Sequence, residues 1–119
     1  MAGRWRKTSD APQWIESLDV AVDGDALRVE VRGGTVDPSP AEWGPATTDV
    51  VYGGSMTSGD ARAGAFITRY EFDDVNVELQ ANLNLGLLVV ATFVSFKQPG
   101  ASADRLTREF FRRDTEVRS

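Results

Sequence analysis

FITRYEFDDVNVELQANLNLGLLVVATFVSF, residues 66–96, decides the fold class of this chain. Phe66, Thr68, Tyr70 and Phe72 alternate with Ile67, Arg69 and Glu71, and Val75, Val77, Leu79, Ala81 and Leu83 alternate with Asn76, Glu78, Gln80 and Asn82. A period of two puts each set on one face of a strand. With Asp73-Asp74 as the turn, Phe72 meets Val75, Tyr70 meets Val77 and Thr68 meets Leu79, so both apolar sets fall on the same side of a hairpin. The opposite side then sets Arg69 across from Glu78 as an ion pair, beside a row of amides at Asn76, Gln80, Asn82 and Asn84. A third run, Leu87 to Lys97, is apolar on both faces: Leu88, Val90, Val94 and Phe96 on one, Leu87, Val89, Ala91 and Phe93 on the other. Such a strand needs cover on each side.

Downstream, Gln98-Pro99-Gly100 ends the run, and Ala103, Leu106, Phe110 and Phe111 then recur at helical spacing. Ser102 is placed to cap, and Asp104 and Arg112-Arg113 suit the positive and negative ends of a helix dipole. The spacing therefore predicts an amphipathic helix from Ser102 to about Asp114, covering the sheet with Leu106 and Phe110. Upstream, Leu18, Val20 and Val22 alternate, as do Leu27, Val29 and Val31, and a turn at Gly24-Asp25 pairs the two sets in order. Residues 33–48 hold Gly33-Gly34, Pro38, Pro40, Gly44 and Pro45, which oppose regular structure and predict a long loop around Trp43. A short strand is expected at Asp49 to Tyr52, followed by a Gly/Ser-rich connector at residues 53–64. These elements predict a mainly β protein, a small antiparallel barrel or two-sheet sandwich of about six strands with one C-terminal helix. The expected division is an N-terminal arm at residues 1–16 and a single β-rich domain at residues 17–119.

The chain contains neither cysteine nor histidine. That excludes disulfides, Cys/His zinc sites, a Ser-His-Asp triad and a Cys-His pair, so no metal and no cofactor is expected. Asp23-Gly24-Asp25 and Asp73-Asp74 lack the spacing of a calcium loop and read as turns. Gly53-Gly54-Ser55-Met56-Thr57-Ser58-Gly59 lacks the Gly-Lys-Ser/Thr ending of a phosphate loop. The net charge of −5 disfavours nucleic acid, whose phosphates require clustered cations. No apolar run reaches the roughly 20 residues of a spanning helix, and the first ten residues lack a signal peptide's apolar core, so neither membrane insertion nor secretion is expected. A cytoplasmic site, or one within a particle, follows as the expected location.

Two roles fit this pattern. The first is a non-enzymatic structural or assembly subunit, as in a virus-like or other multi-subunit particle, self-associating or binding a protein partner. Its contacts would come from a basic arm bearing Arg4, Trp5, Arg6 and Lys7, from Trp14, and from Trp43 in the long loop, because aromatic and arginine side chains carry much interface energy. The second is a small barrel binding an apolar or hydroxyl-rich molecule through Phe66, Tyr70, Phe93, Asn76, Gln80 and Asn82, since amides both donate and accept. In a cyclase or isomerase version, Tyr70 or a carboxylate such as Glu78 would move the proton.

Overall fold

A computed structural model describes residues 2–24, 26–36, 41–48, 50–53, 63–97 and 104–114. It contains β1 (Gly3–Lys7), β2 (Ile15–Asp23), β3 (Ala26–Gly33), β4 (Glu42–Thr47), β5 (Val50–Gly53), β6 (Ala63–Glu71), β7 (Val75–Asn84), β8 (Leu87–Phe96) and β9 (Arg105–Arg113). Every neighbouring pair is antiparallel, in the order β4-β3-β2-β1-β9-β8-β7-β6-β5. Since β1 lies between β2 and β9, the first and last strands join and the chain circles the wall as a meander. β4 pairs with β3 and β5 with β6, so these two consecutive strands occupy the two edges of the sheet and count as one stave of the wall. Counted that way, eight strands form a nearly closed barrel.

Both hairpins lie in the register their alternation predicts: Val20 faces Val29 and Leu18 faces Val31, while Tyr70 faces Val77 and Thr68 faces Leu79. Their apolar faces meet inside the barrel, where Leu18, Val29, Phe66, Val77, Leu79, Leu88, Val90 and Phe111 are buried. Leu85 and Gly86, both in the left-handed region at φ 53° and 84°, make the tight turn between β7 and β8. Such a two-residue turn matches the twist of its strands.

The expected six strands and terminal helix are overturned: among the described residues there is no helix, and residues 105–113 form β9. Read at period two, β9 turns Thr107, Glu109 and Phe111 inward and Leu106, Arg108, Phe110 and Arg112 outward. Leu106 is therefore 59% and Phe110 43% exposed, where a docked helix would have buried both. The cause lies in the neighbours. β8 and β1 each carry a row of backbone donors and acceptors that a strand satisfies and a helix cannot. The expected cap Ser102, the turn residue Asp25 and residues 54–62 of the expected connector lie outside the described residues, while Gly53 ends β5 and Ala63 and Gly64 begin β6.

The arm and the long loop are corrected too. Residues 3–7 form β1 inside the wall, hydrogen-bonded on both sides, with Trp5 buried in the core. Residues 42–47 are strand β4, despite Gly44 and Pro45: Gly44 sits at φ 81° beside a register shift in the β3 ladder. Bulged positions accommodate both residue types. Between β4 and β6 the wall is sealed by side chains. Trp43 packs edge-on against Tyr70 and Phe72, at ring centroid distances of 5.2 and 5.6 Å. The Tyr70 hydroxyl donates to the Val29 carbonyl at 3.3 Å.

The segment that joins β1 to β2 is exposed from Thr8 to Pro12 and turns into the core at Trp14. The Trp14 carbonyl accepts from Gly34 N at 2.8 Å. A Cβ on Gly34 would overlap the Gln13 carbonyl, which explains the glycine at that crossing.

Candidate functional site

The outer face of β6–β9 is ordered by the ladders into rows. One row runs Ile67, Gln80, Ala91, Arg108, and the next runs Ala65, Asn82, Val89, Phe110. The small side chains of β8 lie between longer ones on β7 and β9, so a trough forms along β8. Its volume is about 630 Å³, and it is lined by Ala65, Phe66, Ile67, Gln80, Ala81, Asn82, Asn84, Val89, Ala91, Arg108 and Phe110. That volume lies within the range of small-molecule sites. One wall offers amides, the other a guanidinium and a phenyl ring, over an aliphatic floor. The lining contains no carboxylate, although acids outnumber bases by 18 to 13 in the chain.

The residues expected to bind a ligand are divided by the barrel wall. Phe66 and Tyr70 have buried side chains, although Phe66 also contributes to the trough lining. Phe93, Asn76, Gln80 and Asn82 belong to the outer face, and of these Gln80 and Asn82 line the trough. Asn84 joins them from the same strand. Arg108 and Phe110 were hidden by the helical reading of residues 102–114, and alternation across 105–113 is the signal that places them.

Tyr70 and Glu78, the alternative proton carriers, lie on opposite faces of the wall. Tyr70 points into the barrel and Glu78 to the outside, bonded to Arg69 Nε at 2.9 Å and Gln80 Nε2 at 2.7 Å. The Gln80 bond and then the Arg69 contact hold Glu78 below the usual carboxylate pKa, so it stays ionised. Burial, with a smaller push from Glu30, raises Tyr70 well above the usual phenol value, so it keeps its proton. Neither group is poised to exchange a proton near neutral pH.

The expected interface residues are engaged within the chain itself. Arg4 Nε pairs with Asp19 at 2.9 Å, Arg6 with Asp114 at 3.8 Å and Lys7 with Glu16 at 3.4 Å. The Arg113 guanidinium stands 4.5 Å from the ring centroid of Trp5. Trp14 and Trp43 are core residues. Sequence reasoning also missed Glu109, which is buried and accepts hydrogen bonds from Trp14 N at 2.8 Å and Ile15 N at 3.2 Å. It ties the start of β2 to β9.

Among the described residues no three metal-ligating side chains gather, and no helix is long and apolar enough to cross a membrane. The fold and the trough define an antiparallel barrel with a mixed polar and aromatic groove on its outer wall. Comparison of the chain with protein-family models, with curated proteins and with solved structures found no match.

Proposed function

We propose that this protein is a small-molecule-binding β-barrel whose site is the outer trough along β8, and whose ligand is rich in hydroxyl groups. The observation that carries the reading is the assembly of Gln80, Asn82 and Asn84 opposite Arg108 and the half-exposed ring of Phe110 in one groove. Amides donate to and accept from vicinal hydroxyls, while an exposed aromatic ring covers the C–H face of a sugar-like ring. The incorporation of residues 3–7 into the wall removes the projecting arm on which assembly was expected to depend. Titration of the isotope-labelled protein with neutral hexose oligosaccharides is expected to shift amide resonances of β7–β9 first. Asn82→Ala and Phe110→Ala should weaken that response while leaving the rest of the spectrum unchanged. No localised shift with any of the sugars would overturn the reading.

Assembly remains a second reading, favoured by Leu106, which is 59% exposed opposite Phe93 on the same outer face. In it a second copy of the chain covers the two strands. Sedimentation at rising concentration separates the two: a dimer dissociated by Leu106→Asp supports assembly, and a monomer at all concentrations removes it.

A further inference from the structure

We propose that the hydroxyl-rich ligand of the trough carries a carboxylate, as a uronic acid residue does, and that Arg108 binds it. The inference rests on the ligand reading above. Arg4 pairs with Asp19, Lys7 with Glu16, Arg69 with Glu78 and Lys97 with Glu71, whereas Arg28, Arg32, Arg105 and Arg112 make no ion pair among the described residues; of the unpaired cations, Arg108 is the one that lines the trough. Arg108 has no ion-pair or hydrogen-bond partner among the described residues, and the trough around it contains no acid. The row that crosses the floor sets Gln80 and Arg108 on either side of Ala91. Strands are about 4.8 Å apart, so the two walls stand roughly 10 Å apart at the backbone, and a methyl group between them leaves the floor low. A ring lying there presents hydroxyls to Gln80, Asn82 and Asn84 on one edge and a carboxylate to the guanidinium on the other. Arginine meets a carboxylate through two parallel N–H donors, a geometry that a hydroxyl cannot reproduce. Phe110, two residues along the same face, supports the ring without selecting for charge.

The test compares trisaccharides of galacturonic and glucuronic acid with the methyl esters of the same sugars, which keep the hydroxyls and lose the charge. Titrations followed by amide resonances are expected to give the acids affinities about tenfold above their esters, the effect of one charge-assisted contact. The preference should shrink at high salt. Arg108→Gln, an outward substitution, should lower binding of the acid to the level of its ester and so abolish the difference. Equal binding of acid and ester, or a preference that survives Arg108→Gln, would overturn the carboxylate inference and leave the hydroxyl-rich ligand standing. Binding of neither form to the unaltered protein would overturn both.

Discussion

Glu109 shows how much a single inward position on β9 decides. Its carboxylate is buried, and burial raises its pKa above the ordinary 4.5, against the opposing pull of the Trp14 and Ile15 amides and of Lys7. A carboxyl whose native pKa is raised binds its proton more readily folded than unfolded. The linked stabilisation is therefore fully present below pH 4.5 and lost as the pH rises through the native value. Glu109→Gln removes this titration. Urea midpoints measured from about pH 4 to about pH 8 should fall more with rising pH in the unaltered protein than in the variant. Parallel profiles would show that Glu109 does not carry the dependence. Leu85 marks the other extreme: it is 96% exposed at a positive φ, a conformation set by the turn and not by burial.

At the scale of elements, β9 separates what the sequence reveals from what it conceals. The hairpins were legible because turn and alternation agree: Asp73-Asp74 fixes the register that brings Arg69 opposite Glu78. In β9 two periodicities compete, since Leu106 and Phe110 are four apart and also share one face of a strand. The arbiter is the unpaired edges of β1 and β8, which belong to no local window. β1 and β4 were concealed for the same reason, because five residues around Trp5, or a run with Gly44 and Pro45, become strands only when a neighbour supplies the ladder. Half of the candidate trough was readable as the amide row of β7. The other half, Arg108 and Phe110, depended on knowing that β9 is a strand. Phe111→Ala should cost about 3–5 kcal/mol by opening a cavity in the core, whereas Phe110→Ala should cost well under half of that. Thermal or chemical denaturation of the two variants checks the strand directly, because a docked helix would reverse the order.

At the scale of the whole molecule, the wall closes where β1 meets β9, and Arg113 reaches the Ala2 carbonyl across 111 positions of sequence. Loop-closure entropy makes so distant a contact slow to form. During synthesis β1 is made before β9, so Trp5 and one row of β1 backbone groups wait for β9 to cover them. A circular permutant that links the ends and opens at Leu85-Gly86 would turn this pairing into a local one. Stopped-flow refolding of the permutant should outpace that of the natural chain order, and equal rates would place the barrier elsewhere. The order in which β1 and β9 are made is thus a kinetic burden that the finished barrel no longer displays, because β1 stays open on one side until β9 can pair with it.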